Sequence, residues 1–248
     1  PKMLKSSSVN SAKDYYHLLE SKWGYSLLLK GNRHFGYYPK GKESLPFEQA
    51  QRLMQEKLVQ KLNLKPGARI LDAGCGEGNT SIYLADKYGF VVHGIDLLPE
   101  SIKRATKKVR SGSIKRATFS CGDYSIMNLG VEKYDAIFTM ETLVHIKNYK
   151  EVLRKFYKAL KKNGKLILFE YTIADSGQIN EKHRNILEKV FKYTAMYGLR
   201  QFTHGSFPKI MKSAGFKNVK VEEYTKNVFP MLKRFYDLAK APYFFVKL

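Results

Sequence analysis

Short apolar runs alternate with amphipathic stretches through the middle of the chain. The runs have the length of β-strands, and the stretches between them place apolar residues at helical spacing over 10–12 residues. Strands that alternate with helices of this length form βαβ units, which build a mostly parallel sheet with helices on both faces. The sequence therefore predicts a doubly wound α/β fold. The predicted strands are 68–72, 90–96, 115–121, 134–140 and 164–172, and the predicted helices between them are 79–88, 99–109 and 149–160.

Helical patterns also lie outside this core. We expect residues 1–64 to form an N-terminal helical lid region and residues 65–248 to form the main domain. In that domain the segment 173–204 interrupts the alternation after the fifth strand, and its aromatic, mostly helical pattern predicts a cap. The remaining predicted elements are helices at 14–29 and 46–64 with a Gly- and aromatic-rich turn at 31–41 between them, a helix at 206–214, a strand at 216–224 and a helix at 230–239.

The two ends of the chain carry further expectations. The last apolar run, YFFVKL at 243–248, is either a final strand or precedes one that lies beyond this sequence, and we favour the second. The N-terminus lacks the apolar core and small-residue cleavage site of a signal peptide. Two cysteines are too few for a disulfide framework or a zinc cluster, so we expect no metal and a cytoplasmic location.

The net charge of the chain bears on its possible partners but not on the predicted fold. The 248 residues include 44 Lys and Arg against 22 Asp and Glu, a net charge of +22. The basic residues are spread along the chain, and the densest run, 103–116, is typical of a solvated helix surface. Such a charge still attracts anions, so nucleic acid, an acidic lipid surface and an acidic substrate remain open as partners.

The strongest motif is the glycine-rich segment ARILDAGCGEGNT. It places glycines at 74, 76 and 78 directly after the first predicted strand, where backbone can approach a ligand at a helix N-terminus. A dinucleotide fingerprint needs G-x-G-x-x-G, but Asn79 occupies the position of its third glycine, and the chain has no P-loop motif. The spacing thus favours a nucleotide that lacks a pyrophosphate.

Three carboxylates follow consecutive strands. Asp96 closes the second strand, 20 residues after Gly76, where a carboxylate can accept from both hydroxyls of a ribose. Asp123 closes the third strand and can accept from an exocyclic amine, and Asp72 can accept from an ammonium beside the glycine turn. Any one of them alone could be a helix N-cap or turn residue. Together with the glycines they predict a nucleotide site.

These segments resemble the class I S-adenosylmethionine-dependent methyltransferases, which have a Rossmann-like fold. LDAGCGEG is similar to their first motif, IDLLPESI to the second, CGDY to the adenine-side motif and NGKLILFEY to the fifth strand. METLVHIKNY and the upstream HFGYY resemble the small-molecule branch, which includes sterol, tocopherol and coclaurine-type methyltransferases and cyclopropane fatty acid synthases. The resemblance implies S-adenosyl-L-methionine as cofactor, bound by Tyr38, Asp72, Ala73, Gly74, Cys75, Gly76, Asp96, Leu97, Gly122, Asp123, Tyr124 and Met140.

Three residues are candidates for catalysis. Glu141 and His145 are four residues apart after the fourth strand, so both can face the cleft, and a histidine suits general-base work near neutral pH. His145 could equally be a packing histidine, and Glu141 could mainly position backbone amides. His34 in HFGYY is a third candidate.

The predicted function is methyl transfer to a small, lipophilic or ring-bearing acceptor, with O-, N- and C-methylation all open. An RNA-directed methyltransferase is an alternative because of the charge. However, Met140–Leu143 replaces the Asp/Asn-Pro-Pro-aromatic motif of base-amine methyltransferases, so nucleic acid is disfavoured. A non-enzymatic, cofactor-binding regulator is a further alternative. The expected partners are the acceptor, an anionic membrane surface in peripheral contact, and at most a second copy of the chain.

Overall fold

The computed structural model describes residues 31–175, 177 and 179–246; the side chains of residues 192, 193 and 239–246 are not described. The predicted helix at 14–29 therefore lies outside the described residues. Within them, five parallel strands form one sheet in the order β3-β2-β1-β4-β5. The strands are β1 (Arg69–Ala73), β2 (Val91–Asp96), β3 (Ala117–Cys121), β4 (Tyr134–Met140) and β5 (Leu160–Phe169).

The strand order reverses between β1 and β4. The chain winds outward from β1 through β2 to β3, then returns so that β4 pairs with the other side of β1. In an open parallel sheet, the crevice at such a reversal lies outside the carboxyl ends of the strands and is where ligands bind. The topology thus places the glycine-rich turn after β1 at the centre of one edge of the sheet.

Helices cover both faces of the sheet. They are α1 (Phe47–Leu62), α2 (Asn79–Tyr88), α3 (Pro99–Ser111), α4 (Tyr149–Ala159), α5 (Glu181–Thr194), α6 (Phe207–Ser213) and α7 (Thr225–Val246), with 3₁₀ turns at Leu143–His145 and Gly198–Gln201. On one face α1 and α2 bury Leu58 and Leu84 against Phe138. On the other, α4 and the cap bury Phe156 and Phe202. Burial on both faces explains the nearly continuous apolar sequence of β4.

The predicted α/β fold with a parallel sheet is confirmed, and so are the strands of the sheet within a few residues. The prediction of a strand at 216–224 is wrong, because in the described chain this segment pairs with no strand. Its alternating apolar residues Phe216 and Val219 do pack on the core. A period-two pattern selects which side chains are buried, but a strand also needs ladder hydrogen bonds to a neighbour.

The C-terminal run is likewise not a strand where it is described. Residues 243–246 continue α7, which buries Met231 and packs Phe235 beside it at helical spacing. Once a helix is propagating, each added residue gains a hydrogen bond, so an apolar run at its end extends it. In the described part of the chain, no helix combines the length and hydropathy that spanning a bilayer requires.

β5 begins and ends earlier than predicted. Leu160 pairs with Tyr134 before a register shift, so the strand runs over Leu160–Phe169 and not over 164–172. Glu170, Tyr171 and Thr172 therefore leave the ladder, and the first two bring polar groups to the ligand-binding edge of the sheet.

Candidate functional site

A cleft of about 640 Å³ opens at the carboxyl ends of the strands. This volume lies in the range typical of small-molecule and cofactor sites. Its walls come from the turns after β1 to β4, from residues 31–34 of the N-terminal segment and from Tyr197 of the cap. Elements distant in the sequence thus enclose one space around the glycine-rich turn.

The three glycines of that turn have different roles. All have positive φ, which favours glycine. A Cβ at Gly74 would collide with Thr142, and one at Gly78 would lie 2.5 Å from Phe119, so these two glycines allow close packing within the protein. A Cβ at Gly76 would meet only Arg33 Cδ, at 3.9 Å, and would project into the cleft. Gly76 is therefore where backbone can approach a ligand.

Asp96 lies beside this turn and lines the same cleft. The Gly76 N–H donates to its Oδ2 at 2.8 Å, and the Leu98 N–H donates to its Oδ1 at 2.9 Å. Burial raises the pKa of the carboxyl, while these two bonds act in the opposite direction. A carboxylate has about four acceptor positions. Two remain for a ligand, which suits the neighbouring hydroxyls of a ribose.

Asp72 is buried, and its one side-chain hydrogen bond offsets only part of the cost of burying a charged carboxylate. It is 3% exposed, and the Ser81 O–H donates to its Oδ2 at 2.6 Å. Burial, with a smaller contribution from Asp96, raises its pKa to about 7. A carboxyl in such a place stays ionised most readily when a cation lies beside it. An ammonium bound in the cleft would supply that charge.

Asp123 and Tyr124 form the wall after β3. The Ser125 N–H donates to Asp123 Oδ1 at 2.8 Å, which shapes the turn. The Tyr124 hydroxyl lies 3.2 Å from Thr142 Oγ1, and Thr142 donates to the Ala73 carbonyl at 2.8 Å. These hydrogen bonds link the turns after β1, β3 and β4.

The donor and acceptor set fits S-adenosyl-L-methionine, the cofactor that the resemblance implies. Asp96 would hold the ribose, Asp72 and the glycine turn the ammonium end, and Asp123 the adenine amine. The open space at Gly76 and the under-compensated carboxyl of Asp72 are the structural observations that support the fit.

Most of the predicted binding residues meet at this cleft, but two do not line it. Ala73 is fully buried in β1. Tyr38 is 2% exposed, packs with Ala50 and Met231, and does not line the cleft, so its predicted role in cofactor binding has no contact here that supports it. Of the HFGYY segment, His34 lines the cleft. The predicted binding residues that line it are Asp72, Gly74, Cys75, Gly76, Asp96, Leu97, Gly122, Asp123, Tyr124 and Met140.

Residues 31–38 form a strap over one side of the cleft. The Tyr37 N–H donates to the Ala50 carbonyl of α1 at 2.8 Å, and the Tyr38 N–H donates to the Asn227 carbonyl of α7 at 2.9 Å. A Cβ on Gly36 would lie 2.5 Å from Ala50, so only glycine passes here without a shift. The strap is thus held between the first and last described helices.

Glu141 ties this strap to the sheet. The Phe35 N–H donates to its Oε1 at 2.6 Å, and the Tyr171 hydroxyl donates to its Oε2. Its φ of 61° is in the left-handed region, which costs a non-glycine residue on the order of 1 kcal/mol. Burial raises its pKa to about 8. Glu141 thus holds a backbone amide of the strap, and its role in catalysis stays a prediction.

His145 lies in the 3₁₀ turn after β4 and lines the cleft. Its Nδ1 is 3.1 Å from the Ala195 carbonyl of the cap. Since a carbonyl only accepts, Nδ1 carries the proton and Nε2 is the basic nitrogen. Burial lowers the pKa of the ring, so it is neutral at physiological pH.

His34 also lines the cleft but is more constrained. Its Nδ1 donates to the Phe35 carbonyl at 3.0 Å, and Gln55 Nε2 lies 3.5 Å from its Nε2. Burial lowers its pKa to about 4. It is therefore a weak base inside a side-chain network.

Sequence reasoning missed several residues around the site. Arg33 and Thr142 line the cleft, and Tyr171 donates to Glu141. Glu170 does not line the cleft, but it accepts from the amides of Thr142 and Leu143 at the start of the turn that carries His145. Its position at the end of an apolar strand was the available signal, since a charged residue there reaches the functional edge of the sheet.

Comparisons with known proteins agree with this geometry. A family model described as a methyltransferase domain matches residues 64–234. The S-adenosyl-L-methionine-dependent Diels-Alderase iccD of Talaromyces variabilis is 30% identical over 95% of this chain and 83% of its own length. Phosphoethanolamine N-methyltransferase 1 of Zea mays is also 30% identical, but over 73% of this chain and 34% of its own length. The solved [4+2]-cyclase SpnF superposes with a TM-score of 0.72 at 20% identity, covering 90% of this chain and 79% of that one.

Proposed function

We propose a reaction from one premise: this chain belongs to the methyltransferase domain family and is an S-adenosylmethionine-dependent methyltransferase of small molecules. The proposed acceptor is a small, largely apolar or ring-bearing molecule with a nucleophilic oxygen or nitrogen. The observation that carries the proposal is His145, a half-buried neutral histidine with Nε2 as its basic nitrogen, in the wall of the same cleft as Asp72 and Asp96.

The protein's own contribution is binding, orientation and exclusion of water. When bound, the cofactor supplies an activated methyl group for in-line displacement. Asp72, Asp96 and Asp123 would hold it in place, and residues 31–34 of the strap form one wall of the cleft. Alignment of donor and acceptor in a closed site provides a large part of the rate of such a displacement.

The wall near His145 favours an apolar acceptor. The apolar or aromatic residues Met140, Ile146, Val152 and Tyr197 line the cleft together with His145, and Asn148 and Glu151 are the polar and acidic residues of the same stretch. Of the nearby lysines, Lys155 donates to the Ser125 carbonyl at 2.6 Å, and the Lys147 ammonium lies 4.8 Å from the centre of the Tyr197 ring. Both cations thus already have protein partners, so a strongly anionic acceptor is not required.

His145 would accept the proton that the acceptor loses. Because burial lowers its pKa, the ring is unprotonated at neutral pH and Nε2 can act as base. Glu141 would keep the strap in place.

A labelled-methyl screen tests the proposal. Protein and S-adenosyl-L-methionine with a deuterated methyl group are incubated with panels of phenols, amines, polyene lipids and bulk RNA. We expect label in a phenol or an amine and none in the polyene lipids or in RNA. With the acceptor found, His145→Ala should lose roughly 10²–10⁴ in kcat while cofactor affinity is kept. Label only in RNA, or an unchanged kcat, would contradict the proposal. The exposed His183→Ala on α5 is the matched control.

A second candidate is cycloaddition of a polyene with the cofactor retained. The observation that favours it is the length of the match: the chain aligns with most of the Diels-Alderase iccD but with only about a third of the N-methyltransferase. A cycloaddition moves no proton, so a neutral, shielded cleft suits it. The two reactions differ in mass balance. Cyclised product with no S-adenosylhomocysteine formed would favour this candidate over methyl transfer.

A further inference from the structure

We propose that Glu170 is a positioning residue of the methyl-transfer site, whose carboxyl sets the orientation of the turn that carries His145. The proposal rests on the proposed function of His145. Glu170 does not line the cleft, so it acts on the reaction only through another residue.

The contacts of Glu170 converge on the start of that turn. Its Oε1 accepts from the Thr142 N–H at 3.2 Å and from the Leu143 N–H at 3.0 Å. It also accepts from the Thr139 O–H of β4 at 2.6 Å. The first amides of a helical turn have no partner within it, so an acceptor placed there determines where the turn begins.

The turn depends on such outside contacts because it is short. Leu143–His145 is three residues long, and its own backbone bonds are His145 N–H to Thr142 at 3.2 Å and Ile146 N–H to Leu143 at 3.0 Å. Short 3₁₀ segments of this kind have poor hydrogen-bond geometry. Glu170 therefore holds one side of the turn.

The cap holds the other side. The Ala195 carbonyl accepts from His145 Nδ1, and Ala195 itself is left-handed with φ 52°. Gly198 packs so closely that a Cβ there would lie 2.7 Å from the Ile146 carbonyl oxygen. The cap thus holds the imidazole through Nδ1, while Glu170 holds the start of the turn that carries it.

The second carboxyl oxygen of Glu170, Oε2, makes no hydrogen bond to the turn or to Thr139. Oε2 is buried and makes no hydrogen bond within the described residues. The carboxyl therefore acts through Oε1 alone, that is, through the turn and through Thr139. Removing Thr139 separates these two contributions.

Three variants test the proposal. Glu170→Leu keeps the approximate volume but removes the acceptor; we expect kcat to fall roughly 10- to 100-fold, as for a small misplacement of a catalytic group, with cofactor affinity unchanged. Glu170→Gln retains an acceptor oxygen and should stay within about threefold of wild type. Thr139→Val removes only the hydroxyl contact and is the matched control: it should lower Tm but leave kcat within about threefold.

Nitrogen NMR of the imidazole gives a readout that needs neither cofactor nor acceptor. His145→Ala identifies the signal of His145 by its loss. In Glu170→Leu we expect that signal to move or to show mixed tautomers, and in Thr139→Val we expect it to stay. An unmoved signal in Glu170→Leu would overturn the proposal. If Glu170→Leu does not fold, Glu170→Asp, which withdraws the carboxyl by one methylene, should still move the signal.

A double variant separates this proposal from the proposed function. If Glu170 acts through His145, His145→Ala with Glu170→Leu should be no slower than His145→Ala alone. Additive losses would contradict the positioning role. If His145→Ala is as active as wild type, the base role fails, but the NMR signal still decides whether Glu170 orients that ring.

Discussion

Gly76 and Gly78 belong to one motif, but a Cβ added at each position would meet different surroundings. Gly76→Ala adds a Cβ that meets only Arg33 Cδ at 3.9 Å, so the fold should survive with a loss on the order of 1–2 kcal/mol for its positive φ. The same Cβ occupies ligand space, so we expect S-adenosylhomocysteine to bind at least about tenfold more weakly, or 1.4 kcal/mol.

Gly78→Ala is the contrasting variant. Its Cβ would lie 2.5 Å from Phe119 and 2.9 Å from Ala105, and overpacking of this kind costs about 1–3 kcal/mol. Thermal melts measure the stability of the two variants, and calorimetry measures their affinity for S-adenosylhomocysteine. Gly76→Ala should lose more binding free energy than stability. Gly78→Ala should mainly lose stability. Equal cofactor affinity in Gly76→Ala and wild type would argue against a ligand at Gly76.

His145 also predicts a pH profile. The base form is the neutral ring, and burial lowers the pKa of that ring below 6.5. The rate should therefore be level through neutral pH and fall only below pH 6.5, as the ring gains a proton. A profile of kcat/KM against pH measures this directly. A rate that falls as pH rises from 6 to 7 would be incompatible with a histidine base.

At the scale of elements, the strap 31–38 joins α1, α7 and the end of β4. Ligand that enters beneath it should stabilise the closed arrangement, because such segments exchange on the μs–ms timescale and exclude water when closed. We expect S-adenosylhomocysteine to slow hydrogen exchange at the amides of Phe35, Tyr37 and Tyr38. Unchanged exchange in all three would leave the strap a static part of the wall.

Glu141 provides the variant for this experiment. Glu141→Ala removes the acceptor of the Phe35 N–H, so exchange at Phe35 should be faster both with and without ligand. Glu141→Gln keeps an acceptor oxygen and should resemble wild type. Similar exchange in the alanine and glutamine variants would mean that this bond does not hold the strap.

At the scale of the whole molecule, buried carboxyls make stability depend on pH. Burial raises the pKa of Asp72 and Glu170 to about 7 and that of Glu141 to about 8. Each folded pKa lies above the unfolded value, so stability is present at low pH and is lost as pH rises through the folded pKa. His34 and His145 have lowered pKa values and act oppositely, but only below pH 6.5.

The free energy of unfolding should therefore fall between pH 6.5 and about 8. Each carboxyl contributes up to about 1.4 kcal/mol per pH unit below its folded pKa and little above it, so Asp72 and Glu170 act mainly at the start of this interval and Glu141 across it. Denaturant melts of the ligand-free protein at pH 6.5, 7.2 and 8 measure the slope, and Asp72→Asn, which cannot titrate, should flatten it. Stability that rises over this interval would show that these carboxyls are ionised in the folded protein.

The sequence predicted the sheet and much of the cleft because both follow from local pattern. Alternating elements determine the parallel topology, and residues at the ends of parallel strands, such as Asp72, Asp96 and Asp123, must meet at one edge. Tyr38 and Glu170 could not be placed this way. The first depends on how a loop threads between α1 and α7, and the second on where β5 stops pairing, since its last ladder partner is Met140, the final residue of β4. Both are tertiary outcomes without a periodic signal.

Calorimetric titration of S-adenosylhomocysteine into wild type and Asp96→Ala tests most directly that the cleft is the cofactor site. Loss of charged hydrogen bonds of about 1.5–3 kcal/mol should weaken binding roughly ten- to a hundredfold. Asp96→Asn, which keeps one acceptor oxygen, should be intermediate, and the exposed Asp86→Ala on α2 should bind like wild type. The same affinity in wild type, Asp96→Ala and Asp86→Ala, or no binding to wild type at all, would contradict the account.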